Sequence, residues 1–482
     1  MAPAKDLTHF LSEESKRREP SPLKTAFKYF GQPDLIFLGG GLPLSDYFPF
    51  NKITVESPAP PFEKGIGYAP KEGEAITKTE VLKQKIEDFD VPLSRSLQYG
   101  HTGGQPEFLK FVKEHTELFH KPPYDDWDVL ATVGNTQAWD AVLRTFCNEG
   151  DSILVEQYTF PSSMEAAKSQ AVKFIPIPMD AEGILPEKLD EQLAKLEKSQ
   201  LPKLLYTIPT GHNPTGSSLN KERKQAIYKL SQKYDFLIIE DEPYYFLQME
   251  TYTPDASKRD IAPKGKEEFV KALEPSFLSM DVDGRVLRLD SLSKVLAPGT
   301  RIGWIVGQPA LLMKFFRLHE VSIQNPCGFS SSIVTGLLSR WGNDGYLHWL
   351  MGLRAEYTTK RDVAIDAIAA SFPKEIIEYV PPVAGMFFTV FIDAARHPKF
   401  STEFDSDPLK VENAIFESSL KKGALMIPGS WFEVSPSFPE KALTTKTDYK
   451  IFFRGTYAAV PLDQLKLGLE RFGSALKQEF GL

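Results

Sequence analysis

Short apolar runs alternate with stretches of helical spacing through the middle of the chain. The runs are Ser152–Glu156, Lys203–Ile208, Phe236–Glu240, Val286–Leu289 and Ile302–Val306. This alternation predicts βαβ units and a mainly parallel sheet between about residues 95 and 330. Within Val286–Leu289 apolar and polar residues alternate, which predicts a half-buried strand.

Helical spacing and further strand-like runs flank this region. Phe108, Phe111, Val112 and His115 predict an amphipathic helix over about 104–117, and two more helices are expected near 310–320 and 333–370. The runs Met386–Phe391 and Lys450–Phe453 favour a smaller α+β domain.

The same patterns divide the chain into three parts. We expect residues 1–94 to form an N-terminal arm and part of the small domain, 95–370 the large domain, and 371–482 the C-terminal small domain. The charged, proline-rich stretch 56–92 is predicted to run over the surface. The charged insertions near 254–282 and 396–411 are predicted to be surface loops.

Composition narrows the functional classes. The 482 residues are 42% hydrophobic, and the formal net charge of -8 argues against a nucleic-acid-binding surface. No run approaches the ~20 apolar residues of a membrane span, and no metal site is expected. The two cysteines, Cys147 and Cys327, do not form a disulfide framework, and the first twenty residues lack an apolar signal segment. A cytoplasmic location is therefore expected.

A lysine follows one of the predicted strands. It lies in Asp290-Ser291-Leu292-Ser293-Lys294, and Arg301 comes seven residues later. Open α/β sheets bind ligands at the carboxyl ends of their strands, where Lys294 is expected. A lysine becomes nucleophilic when burial or a nearby cation lowers its pKa, and Arg301 can supply that charge. For this fragment alone, a surface lysine in a serine-rich loop is an equal alternative.

Polar side chains follow other predicted strands as well. Asp241 and Tyr244 lie three residues apart at the end of one strand, and Asn213 lies in the turn Thr210-Gly211-His212-Asn213-Pro214 after another. Taken alone, Asn213 fits a plain turn and Asp241 an acidic loop.

Further upstream, the turn between a predicted strand and the next predicted helix is a candidate anion-binding site. Gly134-Asn135-Thr136 opens a predicted helix, whose free N–H groups favour a phosphate. Phe160 follows the next strand and could stack on a flat ring, although most such phenylalanines are core residues.

Together these motifs resemble the fold-type I pyridoxal-phosphate aminotransferases, in the branch of aromatic and 2-aminoadipate (kynurenine) aminotransferases. Phe10-Leu11-Ser12-Glu13-Glu14-Ser15-Lys16-Arg17-Arg18 is similar to the fungal aromatic enzymes, and the resemblance runs from about residue 8 to the C-terminus. It implies an α/β fold with a mainly parallel seven-stranded sheet in the large domain, plus a smaller α+β domain.

The resemblance also implies roles for individual residues. Lys294 is the Schiff-base lysine and proton shuttle, Asp241 pairs with the pyridinium nitrogen, and Tyr244 and Asn213 contact the ring hydroxyl. The expected phosphate contacts are Asn135, Thr136, Ser291, Ser293 and Arg301, with Tyr99 reaching the neighbouring subunit of a homodimer. Arg454 grips the substrate α-carboxylate, and Gly41 lies in a segment that closes over substrate.

Two positions depart from the family pattern. Phe160 stands where many relatives have tyrosine, so stacking is expected without a hydroxyl contact. Glu242 follows Asp241 where relatives often have a second aspartate, and we keep Asp241 because it has the three-residue offset to Tyr244.

The leading functional hypothesis is ping-pong transfer of the amino group of phenylalanine, tyrosine or tryptophan to 2-oxoglutarate. Donation by 2-aminoadipate, kynurenine or methionine stays open, and a pyridoxal-phosphate lyase or decarboxylase would use the same contacts. A transcription regulator with an aminotransferase-like domain is disfavoured, because the short arm before Gly39 leaves no room for a DNA-binding domain.

Overall fold

The computed structural model describes residues 2–23, 29, 32, 34–36, 38–84, 87–260, 265–436 and 449–482. Contacts divide the chain into two units. Unit 1 comprises Met1–Asp151, Phe236–Pro243 and Pro275–Trp349, and unit 2 comprises Ser152–Asp235, Tyr244–Glu274 and Leu350–Leu482. The three-part division predicted above stays a prediction.

The strands in chain order are β1 Lys52–Pro58, β2 Ile76–Leu82, β3 Asp128–Thr132, β4 Ser152–Glu156, β5 Lys173–Ile177, β6 Met179–Asp180, β7 Gly183–Ile184, β8 Leu204–Thr207, β9 Leu237–Glu242, β10 Val286–Ser291, β11 Gly303–Gly307, β12 Ile377–Glu378, β13 Phe387–Asp393, β14 Ile427–Pro428 and β15 Lys450–Thr456.

The helices are α1 Glu13–Lys16, α2 Leu93–Ser96, α3 Pro106–Phe119, α4 Asn135–Phe146, α5 Pro161–Ser169, α6 Pro186–Leu193, α7 Lys221–Tyr234, α8 Lys266–Lys271, α9 Pro309–His319, α10 Gly328–Ser371, α11 Pro408–Lys421 and α12 Leu462–Phe480. Helix α10 is interrupted at Gly342, whose φ is 63°.

A seven-stranded sheet confirms the predicted fold class. Its order is β3-β11-β10-β9-β8-β4-β5. β10 runs parallel to β9, and β4 runs parallel to both β8 and β5, while β11 is antiparallel to β10 and β3. All the predicted strands of this region are present. Strands β9 and β10 are buried at every residue, as expected for parallel strands covered on both faces.

In unit 1, helix α4 follows β3 and packs against β10, β11 and α9. Its buried face carries Ala138, Trp139, Val142, Leu143 and Phe146 at helical spacing. In unit 2, the smaller sheet has the order β12-β13-β15-β14, and α11 and α12 pack against each other beside it. The predicted strands near 386–391 and 450–453 are confirmed as β13 and β15.

Three surface predictions need correction. The stretch 56–92 contains part of an antiparallel hairpin of β1 and β2, whose paired residues run from Lys52↔Leu82 to Pro58↔Ile76. The insertion near 254–282 carries helix α8 and buries Phe269, Phe277 and Leu278, so it is not only a surface loop. In the insertion near 396–411, His397 and Phe400 are buried. Each of these stretches is rich in charged residues but also contains apolar residues that are buried.

Among the described residues, none of the helices combines the length and apolar character needed to cross a membrane.

Candidate active site

Lys294 lies just beyond the carboxyl end of β10 in unit 1 and is half-buried. Burial lowers the pKa of its amine, and the positive charge of Arg301 lowers it further. Both effects favour the neutral amine, which is the form that attacks an aldehyde.

Asp241 lies on the neighbouring strand β9, opposite Leu289 of β10. Asn135 Nδ2, at the start of α4, donates to Asp241 Oδ1 at 2.7 Å and to the carbonyl of Leu289 at 3.0 Å. Asn135 was predicted among the phosphate contacts, but its amide donates to the carboxylate. A single side chain therefore fixes the direction of Asp241 relative to the strand that leads to Lys294.

The residues flanking Asp241 take part in a buried charge network. Arg288 donates from Nε to Asp290 Oδ2 at 2.7 Å and from Nη2 to Oδ1 at 2.9 Å, and its Nη1 lies 3.3 Å from Glu240 Oε2. Burial alone would lower the pKa of Arg288, but the carboxylates of Asp290, Glu240 and Glu242 raise it. The strand predicted for 286–289 is confirmed as β10, but its predicted half-burial is wrong, because Arg288 is fully buried and paired.

The start of α4 and the loop before β11 form a cradle of donors. Arg301 Nη2 donates to the carbonyl of Val133 at 2.9 Å, and its Nη1 donates to Ser293 Oγ at 3.3 Å. Ser291 Oγ donates to Ser293 Oγ at 2.8 Å. Gly134 has a φ of 86°, and a Cβ there would lie 2.5 Å from Arg301 Nη2, so only glycine permits this approach.

This cradle fits a phosphate group. Helix α4 has 12 residues, and the free N–H groups of its first turn carry the positive end of its dipole. The guanidinium of Arg301 and the hydroxyls of Ser291 and Ser293 add donors, and Thr136 is exposed in the first turn. Together with the amine of Lys294 and the carboxylate of Asp241, unit 1 holds the donor set that pyridoxal phosphate requires.

In unit 2, Arg454 of β15 lies between two aromatic rings. Its guanidinium carbon is 4.4 Å from the ring centroid of Phe387 and 4.8 Å from that of Phe432. Arg454 Nη1 donates to Asn213 Oδ1 at 2.8 Å, while its buried Nε has no hydrogen-bond partner in the described part of the chain. Burial lowers the pKa of Arg454, although Tyr244 raises it slightly. A desolvated guanidinium with a free donor is suited to bind a carboxylate.

The loop of Asn213 is held by close backbone packing. Gly211 has a φ of 58°, and a Cβ on it would lie 2.4 Å from the Cα of Gly385. Tyr457 Oη donates to the carbonyl of Gly385 at 2.8 Å. Tyr244 is buried, and its ring meets that of Phe387 edge to face at 5.8 Å between centroids. The glycines of both loops therefore bring Asn213 and Phe387 close together beside Arg454, and Tyr244 packs on Phe387.

Three further predicted site residues differ in their surroundings. Tyr99 is 56% exposed. A Cβ placed on Gly41 would have no heavy atom of the described residues within 4 Å. Phe160 is half-buried directly before α5. Their roles stay predictions.

Sequence reasoning missed three neighbours of the site. They are Arg288, Phe387 and Phe432. A charged residue inside an apolar strand run was the available signal for Arg288. For Phe387 and Phe432, no local pattern distinguishes a ring that covers an arginine from a core ring.

The chain is similar to known proteins over almost its whole length. Residues 68–472 match the family model described as aminotransferase class I and II. The chain is 41% identical over 490 residues to an aromatic amino acid aminotransferase of Schizosaccharomyces pombe, with 99% of each protein covered. It is 32% identical to an L-tyrosine:2-oxoglutarate aminotransferase of Serpula lacrymans, covering 95% of this chain and 89% of that protein. The crystal structure of aminotransferase Aro8 from Candida albicans matches with a TM-score of 0.96 and 60% identity, covering 100% of both chains.

Proposed function

Because this chain belongs to the class I and II aminotransferases, we propose that it transfers the amino group of an aromatic amino acid to 2-oxoglutarate. Its cofactor is pyridoxal 5'-phosphate. The names of the relatives support phenylalanine, tyrosine or tryptophan as donor and 2-oxoglutarate as acceptor. The observation that carries the proposal is the placement of Lys294 just beyond β10 and of Asp241 on the adjacent parallel strand β9, where Asn135 donates to it.

In this function each residue of unit 1 has a separate task. The bound cofactor supplies an electron sink for the negative charge that develops on the substrate α-carbon. Lys294 tethers the cofactor and moves the proton at that carbon, and its lowered pKa favours the neutral amine, which is the basic form. Asp241, oriented by Asn135, holds a ring nitrogen protonated. Arg301, Ser291, Ser293 and Thr136 hold the phosphate.

The residues of unit 2 bind the substrate and the ring. Arg454 takes the α-carboxylate that the donor and 2-oxoglutarate share, with its free Nε as one of the donors. Asn213 and Tyr244 contact the ring hydroxyl, and Phe160 stacks on the ring. Because both substrates of a ping-pong cycle carry this carboxylate, one arginine serves both half-reactions.

A spectrum and a product assay test the proposal. The purified enzyme should show a visible absorbance band and form phenylpyruvate and glutamate from phenylalanine and 2-oxoglutarate. Lys294→Ala should abolish the band and lower kcat by about 10⁴-fold, near the upper end for loss of an acid–base residue. The exposed Lys229→Ala is the matched control and should behave as wild type. Full turnover by Lys294→Ala, or release of ammonia or carbon dioxide as the main product, contradicts the proposal.

A donor panel decides the substrate class. Rates with phenylalanine, tyrosine, tryptophan, kynurenine, 2-aminoadipate and methionine, each with 2-oxoglutarate, should give the highest kcat/KM for an aromatic donor. Preference for 2-aminoadipate or kynurenine would keep the aminotransferase assignment and replace its donor.

We further propose a homodimer in which Tyr99 contacts the phosphate bound by the partner subunit. Ile36, Leu38 and Tyr47 of the same unit are 83%, 90% and 81% exposed, which leaves apolar side chains for a second copy to cover. We place this dimer in the cytoplasm, in keeping with Cys147 and Cys327, which form no disulfide among the described residues.

Mixing two inactive variants tests the shared site. Tyr99→Ala and Lys294→Ala homodimers should both be weak, whereas a hybrid dimer has one site with native Tyr99 and native Lys294. Activity should therefore reappear when the two variants are unfolded together and refolded. Monomers by light scattering, or no recovery on mixing, would contradict the dimer.

A further inference from the structure

An aromatic cluster lies beside the loop of Lys294 in unit 1. It consists of Phe62, Trp341 and Trp349, and we call it the tryptophan cluster. The ring centroids of Trp341 and Trp349 are 5.2 Å apart. Phe62 meets Trp341 at 5.2 Å and Trp349 at 5.3 Å, in both cases edge to face. Edge-to-face pairs of this kind add to the stabilisation from burial.

Two glycines of α10 shape this cluster. Gly342 takes a φ of 63°, which interrupts the helix directly after Trp341. A Cβ on Gly345 would lie 2.7 Å from Cγ of Pro60, so the loop after β1 approaches the helix only because that residue is glycine. The hairpin loop that carries Pro60 and Phe62 is thereby packed onto the tryptophans.

The two tryptophans differ in one contact. Trp349 Nε1 donates to the carbonyl oxygen of Val295 at 2.6 Å, across 54 residues of sequence. Trp341 Nε1 is buried and finds no hydrogen-bond partner among the residues that the structure describes. Val295 is itself buried and directly follows Lys294. Trp349 therefore fixes the backbone next to the lysine, whereas Trp341 contributes only packing.

We propose that Trp349 is a positioning residue that holds the Lys294 loop in place for the proton transfer. This inference rests on the proposed function of Lys294. A lysine side chain is a flexible four-carbon stem, so the direction of its amine depends on where its Cα is held. Leu296 N donates to the carbonyl of Leu292 at 2.9 Å within the turn, and the Trp349 contact ties this turn to a helix outside it. Small errors in such a position lower kcat strongly.

Trp349→Phe in the holoenzyme tests the proposal, with Trp341→Phe as the matched control. Both changes keep an aromatic ring in the cluster and remove one indole N–H. A relaxed loop lets water reach the cofactor-bound lysine and favours its protonated form. The pH midpoint of the visible band should therefore rise by about 0.3 to 0.5 in Trp349→Phe. Its kcat should fall about threefold to tenfold while KM for the donor changes less than twofold. Trp341→Phe should match wild type in all three quantities.

A second replacement at position 349 separates the loss of the hydrogen bond from a change in packing. β-(3-benzothienyl)alanine at position 349 keeps the shape of tryptophan and puts sulfur in place of the N–H, so it should reproduce the Trp349→Phe effect on midpoint and kcat. A midpoint that is unchanged or lowered at position 349, or equal shifts in Trp341→Phe, overturns the proposal. A wild-type enzyme without a band abolished by Lys294→Ala would instead refute the proposed function, so the two failures are distinguishable.

Discussion

Two arginines of this chain sit in contrasting surroundings. Arg288, on β10 of unit 1, lies within ion-pair distance of Asp290 and Glu240. Arg454, in unit 2, lies between the rings of Phe387 and Phe432 and donates to the amide oxygen of Asn213. Carboxylates raise the pKa of Arg288, whereas burial lowers the pKa of Arg454.

The contrast separates a structural charge from a binding charge. Arg288 has its anions built into the protein, so its removal would leave buried carboxylates without their cation. Among the described residues, Arg454 has no carboxylate in hydrogen-bond or ion-pair contact and keeps a buried Nε without a partner. A guanidinium in low dielectric without an anion attracts one from solution more strongly than a guanidinium already paired. Arg454 is therefore the arginine suited to an exchangeable substrate.

Replacing each arginine by leucine should give the largest difference. Arg288→Leu should lower the free energy of unfolding by about 3 to 5 kcal/mol, because Asp290 and Glu240 stay buried without a counter-charge. Arg454→Leu removes a cation without a carboxylate partner and should change it by less than about 1 kcal/mol. Urea unfolding of both variants beside wild type measures this, and equal losses would break the distinction.

Arg454→Lys should weaken catalysis without weakening the fold. Lysine keeps the charge but loses the planar fork and its stacking on two rings, so kcat/KM for an amino acid should fall about 30- to 100-fold, or roughly 2 to 3 kcal/mol. 2-Phenylethylamine lacks the carboxylate, and its slow reaction should be nearly the same in both enzymes. A similar loss with both donors would show that Arg454 does not act through the carboxylate.

The sequence predicted the positions of several site residues better than the contacts that their side chains make. Lys294, Asp241 and Asn213 stand at or just beyond strand ends or in a turn, and the placement of strand ends follows from periodicity, whereas Arg454 lies inside β15 and its role was implied by the resemblance. Asn135 was found as well, but its amide direction depends on the approach of β9 and β10 and could not be predicted. The same holds for Trp349, whose hydrogen bond spans 54 residues.

Composition was a poor guide to structure where buried apolar residues are few. The stretch that forms β2 and the loop before it is rich in charge and proline, so the pairing of β1 with β2 was not predicted. Its charges form ion pairs across the hairpin, for example Lys52 Nζ with Glu80 Oε1 at 2.6 Å. The full burial of Arg288 was not predicted either. A charged residue that alternates with leucines gives the same sequence pattern whether its side chain faces water or a buried carboxylate.

The buried histidine His115 provides a further test of the charge that Arg288 places in unit 1. Burial, and then the charge of Arg288, lower the pKa of His115 from 6.5 to about 3. The unfolded chain therefore binds one more proton than the folded chain between about pH 3 and 6.5, and stability is lost as the pH falls through that window. From pH 7.5 to 5.5 the wild type should lose about 1.4 kcal/mol more than His115→Leu. Urea midpoints at both pH values measure the difference, and equal losses would show that His115 is not held neutral.

The smallest expected effect concerns the rings around Arg454. Phe432→Leu keeps an apolar neighbour but removes one aromatic face from the guanidinium, an interaction worth about 0.5 to 1 kcal/mol. Arg454 then has more freedom before substrate binds, so KM for both phenylalanine and 2-oxoglutarate should rise about twofold to fivefold with little change in kcat. Phe391→Leu, on the neighbouring β13, is the control, since its ring packs on Phe452 at 5.4 Å. Steady-state kinetics with each substrate varied in turn measure both KM values. A rise in KM for phenylalanine alone would mean that Phe432 contacts the donor side chain, because only the α-carboxylate is common to both substrates.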